Sequence, residues 1–188
     1  MVESAQTRAK ELNMPLRLMF EDEARFGRMS STYAAWAPKP MRPMVELALV
    51  REFEYVYCAV SPQDGKAVWT TQTQMNTDCM SHFLREVSNT FPDEMVFMIL
   101  DGASCHKAKG LELPANIILG FLPPYSPELN PTEHIWDEMR EKFFANRIFE
   151  SMDIVRNQIN KAIEHFKTNE DLLRSITFWP WIKSAILV

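Results

Sequence analysis

Three cysteines in 188 residues, Cys58, Cys79 and Cys105, are too few and too widely spaced for a disulfide framework, and there is no Cys-x-x-Cys pair to hold zinc. Free thiols in a reducing compartment are expected. Long apolar runs are also missing: MVFMIL at 95–100 is far short of a bilayer span. The N-terminal MVESAQTRAKELN lacks the apolar stretch of a secretory signal. The sequence therefore reads as cytoplasmic, with no membrane partner. It has no internal repeat, which excludes a repeat architecture, and no low-complexity segment. A basic excess is absent as well. The 20 Lys and Arg are outnumbered by 25 Asp and Glu, for a net charge of −5, so the electrostatic footprint that dominates polyanion binding is not there.

What is present suits one globular domain: 46% apolar and 24% charged residues over a length that can bury a single core. Residues 1–15 read as a helical lead-in with no clear apolar face. LRLMF (16–20) alternates and then meets Glu21, Asp22 and Glu23, which predicts a strand delivering carboxylates at its C-terminal end. The next stretch, ARFGRMSSTYAAWAPKPMRP, carries three prolines and a glycine and reads as mainly loop or ragged edge. VELALV (45–50), EYVYCAV (54–60) and AVWTTQ (67–72) read as strands of an antiparallel meander.

From Asn76 the period becomes helical, with Met80, Phe83, Leu84, Val87 and Phe91 on one face and Pro92 closing the segment. MVFMIL (95–100) and NIILGFL (116–122) read as parallel, buried neighbours joined by a short crossover around KAKGLEL. Two helices follow, one starting near Asn130 and burying Ile135, Met139 and Phe143, the other burying Met152, Val155, Ile159, Ile163 and Phe166. The apolar tail at 169–188, with Phe178, Trp179 and Trp181 around Pro180, packs back on the domain or meets a partner. The order predicts an α/β protein of ribonuclease H-like fold, with a mixed sheet of about five strands flanked by helices over residues 16–168.

In open sheets of this kind ligands gather beyond the carboxyl ends of the strands, where Asp22 and Asp101 are expected. Magnesium takes oxygen ligands and keeps several waters, so a few converging carboxylates suffice to hold it. A third candidate is Glu133, in the first turn of the helix that follows the proline-rich loop, with Asp137 one turn later as its rival. Each has a plainer reading. Asn130, Pro131 and Glu133 form a capping signal in which the glutamate bonds back to the cap amide. An aspartate after a buried strand commonly bonds turn amides, and Glu21 or Glu23 could be the working acid instead of Asp22. His106 could contact a phosphate or position water, although a loop histidine is ordinarily solvated. Cys105 and His106, adjacent in an extended segment, do not make a nucleophilic dyad. Arg25, Arg28, Lys107, Lys109 and Arg140 flank the acidic motifs, where they would line a nucleic-acid path or simply be solvated. Trp136 reads as packing.

EDEARFG (21–27), WAPKPMRP (36–43), LDGASCH (100–106) and LPPYSPELNPTEHIW (122–136) together resemble the DDE transposases of the Tc/mariner superfamily, in particular the bacterial insertion-sequence branch. The resemblance runs in order from about Leu16 to Phe166. It implies Asp22, Asp101 and Glu133 as catalytic residues and metal ligands. It also implies Mg2+ or Mn2+, two ions, as cofactor, and DNA, both transposon ends and target, as partner. Cleavage and strand transfer at transposon ends would be the activity, with one metal lowering the nucleophile's pKa and the other, about 3.5–4 Å away, stabilising the leaving oxygen. Two such ions would bring the net charge to about −1. The Asp101 to Glu133 spacing is slightly short for the superfamily. No helix-turn-helix recognition module precedes the first catalytic strand, so the expected partner is an upstream recognition domain, fused or separate, with a homodimer as a further expectation. Two other functions fit the composition: a catalytically silent remnant that binds DNA or dimerises, and a general ribonuclease H-like nuclease.

Overall fold

The computed structural model describes residues 2–29, 32–34 and 36–186; Met1 and residues 187–188 of the expected lead-in and tail lie outside them. Helix α1 (Val2–Glu11) precedes strands β1 (Leu16–Met29), β2 (Leu49–Val60) and β3 (Ala67–Gln72). Helix α2 (Thr77–Thr90), β4 (Met95–Leu100) and β5 (Ile117–Phe121) follow, and the chain ends in α3 (Thr132–Met139), α4 (Met152–Lys167), α5 (Glu170–Thr177) and α6 (Pro180–Ile186). The five strands form one sheet in the order β3-β2-β1-β4-β5. The first three are an antiparallel meander, while β1, β4 and β5 run parallel.

Side-chain alternation along β1 and β2 divides the core between the two faces of the sheet. Phe20, Ala24, Phe26, Val56, Cys58 and Val60 face α3 and α4, meeting Trp136, Ile159 and Phe166. Met19, Tyr57 and Ala59 face the other way, onto Met80, Phe83, Leu84 and Val87 of α2. Asn76 caps α2 by accepting from the Cys79 amide at 2.9 Å. Beneath the sheet, the nearly buried Arg17 guanidinium bridges Glu94 and Asp64, each at 2.8 Å.

Several expectations change. Strand β1 does not end at the acidic cluster: it runs on to Met29, paired with β2, so the first six residues of the segment expected to be loop are strand, and its described remainder is loop. The cluster is thus in mid-strand. VELALV forms no strand of its own, since residues 45–48 lie outside any ladder and Leu49 and Val50 begin the single long β2. The lead-in helix does bury a face, through Ala5 and Ala9, whose small side chains make a weak apolar signal. In α3 the helix passes into a π turn at Arg140–Phe144, which puts Phe144 rather than Phe143 into the buried set. The tail packs back as α5 and α6: Leu173 and Ile182 join the core, and Trp181 meets Phe20 edge-on with ring centroids 6.1 Å apart. Among the described residues no helix is long and apolar enough to cross a membrane.

Candidate active site

The parallel ladder between β1 and β4 ends at Phe20↔Ile99. Two residues further along each strand stand Asp22 and Asp101, so the two aspartates sit at one level, where β4 stops and β1 continues along β2. This fork in the sheet opens a cleft of about 520 Å³ lined by Asp22, Asp101 and Glu133, together with Gly102, Lys107, Asn130 and the loop 122–127. The proline-rich loop makes one wall, with Tyr125 fully exposed at its tip in a left-handed backbone conformation (φ 57°).

Alternation along β1 decides among the three neighbouring acids. Asp22 points to the α3 face with Phe20 and Ala24 and lines the cleft, whereas Glu21 and Glu23 point to the opposite face, where their side chains are buried. Asp22 accepts a hydrogen bond from the Trp136 indole, Nε1 to Oδ2, at 2.8 Å. Its burial, and then the charge of Glu133, push its carboxyl up to about 7 against the opposing pull of that hydrogen bond. Burial also raises Glu133, with Asp137 and Asp101 adding to the shift and Arg140 opposing it.

Glu133 reaches the cleft because the start of α3 is tied to β1. Asn130 Nδ2 donates to the Glu21 carbonyl at 2.9 Å, and Thr132 Oγ1 donates to the Phe20 carbonyl at 3.2 Å. Asn130 Oδ1 also accepts from the Thr132 amide at 3.2 Å. Both side chains are buried, so leaving their partners unpaired would cost about 1–3 kcal/mol each. The capping-box role for Glu133 does not survive: the Asn130 amide donates to the Pro127 carbonyl at 2.8 Å instead. Among the described residues the Glu133 carboxylate has no hydrogen-bond partner. Asp137 is exposed, 3.9 Å from Arg140, and does not line the cleft.

Asp101 is exposed and keeps the turn role as well, accepting from the Ala103 amide at 2.9 Å. His106 is not solvated. It is 2% exposed, with Nδ1 3.2 Å from the Asp101 carbonyl and 3.0 Å from Asp101 Oδ1, and Nε2 2.9 Å from Glu23 Oε1. Burial alone would lower its pKa, but the bond to Glu23, that carboxylate's charge and Asp101 outweigh burial and leave it raised. Burial, then Glu23, raises the Cys105 thiol, the opposite of the shift that activates a cysteine nucleophile.

Of the expected cationic residues, Lys107 lines the cleft, its ammonium 4.8 Å from the Phe121 ring centroid. Arg25 and Arg140 do not; they line a second groove with Arg147 and Phe53. Arg28 is taken up by Glu52 and the Phe149 carbonyl, and Lys109 is exposed outside the cleft. Asn130 belongs to the scaffold. The Trp136–Asp22 bond and the Glu23–His106 pair join residues about a hundred positions apart and leave no local signature.

The acidic side chains facing the cleft offer carboxylate oxygens only, and two of them, Asp22 and Glu133, are held above their ordinary pKa by burial and then by neighbouring carboxylates. Such a donor set fits a hard divalent cation, whose charge would offset both the burial and the repulsion.

The family described as DDE superfamily endonuclease matches residues 17–156. A Sinorhizobium fredii protein called uncharacterized protein y4pE/y4sA is 40% identical over 100 residues, covering 53% of this chain and 74% of that one. Among solved structures, the Mos1 transposase paired-end complex with the left transposon end is similar at TM-score 0.58 and 14% identity, covering 93% of this chain and 60% of that chain. The Mos1 mariner paired-end complexes with Mn and with Mg give TM-scores of 0.58 and 0.53 at 15% and 17% identity, each covering 93% of this chain and 57% of theirs. The fold is ribonuclease H-like, as in these catalytic domains, and the chain spans about 60% of the length of the transposase chains it resembles.

Proposed function

The chain belongs to the DDE superfamily endonucleases, and on that footing we propose that it is a transposase catalytic domain that cuts DNA at transposon ends and joins those ends to a target. One observation carries this reading: Asp22, Asp101 and Glu133 converge on a single cleft where β4 stops. These three carboxylates would hold Mg2+ or Mn2+, two ions as the working assumption. When bound, the ions supply activation of a water or DNA 3'-hydroxyl and stabilisation of the leaving oxygen.

The remaining work falls to the chain itself. Trp136 holds one oxygen of Asp22 and leaves the other to the cleft. Asn130 and Thr132 lock the start of α3 so that Glu133 faces the aspartates. His106 braces the Asp101 turn from behind, and Lys107 stands at the cleft to meet a phosphate. Arg25, Arg140 and Arg147, in the neighbouring groove, are placed to neutralise a DNA backbone. Residues 16–168 form the catalytic unit in this reading. The acidic balance calls for a recognition domain, fused or separate, to bring the unit to its ends, with pairing of two copies and action on nucleoid DNA in the bacterial cytoplasm.

The test is nicking and strand transfer on the element's end sequences with Mg2+ or Mn2+. Asp101→Ala and Glu133→Ala are expected to lose both activities, and activity surviving both substitutions would overturn the assignment. A wild-type chain that stays inactive with the recognition partner supplied would point to a silent, DNA-binding remnant. Preference for RNA in hybrids would point to a general ribonuclease H-like nuclease.

A further inference from the structure

Behind Asp101, on the face of the sheet away from the carboxylate cleft, lies a second group of ligand-bearing side chains. Glu23, Cys105 and His106 each offer one donor atom, and these atoms lie within 4.8 Å of one another. Glu21 lies beside the group. Its side chain is fully buried, neither carboxylate oxygen has a hydrogen-bond partner, and Oε2 stands 3.8 Å from His106 Nε2. A buried carboxylate with no partner is costly unless it is neutralised by a proton or a cation.

We propose that Glu21, Glu23, Cys105 and His106 form a buried metal site, separate from the carboxylate cleft, for a borderline divalent ion of the zinc type. The donors discriminate between the two sites: a thiolate and an imidazole select zinc or cobalt over magnesium, whereas the all-oxygen cleft has the opposite preference. Three of the four donors already lie within 4.8 Å of one another, and they and Glu21 have to close to the spacing of about 3.5 Å that a tetrahedral ion needs. The 2.9 Å contact between His106 Nε2 and Glu23 has only to open by about half an ångström to admit the ion. The other imidazole nitrogen is already held by Asp101, the outer hydrogen bond that fixes the tautomer of a metal-bound histidine. Without an ion, the proton between Nε2 and Glu23, the thiol proton and one proton on Glu21 keep the group neutral. As the ion enters, those three protons leave to solvent and the ion bonds to the nitrogen, the sulfur and the two carboxylates. The His106 ring would then be pinned at both nitrogens, and the Asp101 turn with it.

Cobalt titration of the metal-stripped 188-residue chain tests this without DNA, so its outcome is independent of the transposase reading. One Co2+ per chain with thiolate-to-cobalt charge-transfer absorption is expected, unchanged by a large excess of Mg2+ and retained in the cleft variant Asp22→Asn/Glu133→Gln. Cys105→Ser should abolish that absorption, and Glu21→Gln should weaken Co2+ and Zn2+ binding at least about 10-fold, with folding followed by circular dichroism. Folded wild-type protein that shows no such absorption overturns the site, whatever the variants do. So does absorption that survives Cys105→Ser, which would place the ion on another cysteine.

Discussion

The indole Nε1–H of Trp136 points at Oδ2 of Asp22 from 2.8 Å away, linking the middle of β1 to the second turn of α3. Trp136 is itself wedged against Trp69 and Phe26, with centroids 6.0 and 6.1 Å away. The aromatic core therefore sets the direction of a cleft carboxylate. Trp136→Phe keeps most of the packing and removes the donor. Cleavage and metal affinity should fall about 10- to 100-fold, with a stability loss of about 1–3 kcal/mol. Unchanged metal affinity in a folded variant would show that the bond does no orienting.

The tether at the start of α3 is expected to matter for both stability and activity. Asn130→Ala strands the buried Glu21 carbonyl and the Thr132 amide and should cost about 2–3 kcal/mol in urea unfolding. The residual folded protein should cleave poorly because Glu133 is no longer aimed. Thr132→Val, which removes only the 3.2 Å bond to the Phe20 carbonyl, should cost less on both counts. Equal effects from the two substitutions would count against Asn130 as the main tether.

Metal-free protein should lose stability as pH rises. The Asp22 carboxyl is held up at about 7, far above the ordinary 3.8, first by burial and then by Glu133. The folded state thus binds this proton more tightly than the unfolded chain. The resulting stability is fully present below about pH 4 and is lost as pH rises through about 7. Glu133, Glu21 and His106 are displaced in the same direction, so their contributions add. Thermal unfolding should drop by about 5–10 °C between pH 5 and 8, and Asp22→Asn should flatten that slope. A melting temperature that climbs over this range would contradict the raised carboxyl.

Divalent cations should reverse that loss. Mg2+ or Mn2+ bound to the three carboxylates replaces the protons, so the stabilisation it confers should be larger at pH 8 than at pH 5. Chelation should remove both the stabilisation and DNA cleavage. If the thermal shift is as large in Asp101→Ala/Glu133→Ala as in wild type, the ion binds elsewhere.

The elements readable from sequence are those whose burial is local and continuous. MVFMIL is apolar throughout and almost wholly buried, IILGFL is apolar although β5 is a half-buried edge strand, and the α2 stripe repeats at helical spacing, so β4, β5 and α2 are expected almost residue for residue. Strand β1 reads short because EDEARFGRM puts acids on both faces. What buries Glu23 is His106, 83 residues away, which no local pattern reports. VELALV has the composition of a strand, but composition supplies no neighbour to pair with. In the site, Asp101 and Glu133 are legible as residues next to strong structural landmarks. The choice of Asp22 over Glu21 and Glu23 needs the parity of β1, and that is fixed only by its ladder with β2.

That ladder separates two tasks along one strand. The register that places Asp22 is set by its pairing with Cys58 and by the end of β4, both well inside the sheet. The far ends of β1 and β2, at Met29 and Leu49, have only each other as ladder partners, and just beyond Met29 the Tyr33 amide and carbonyl are both hydrogen-bonded to the Asn146 side chain, at 2.9 and 3.2 Å. Between that Tyr33 tie and Leu49 the connection can therefore change in length without moving a cleft carboxylate.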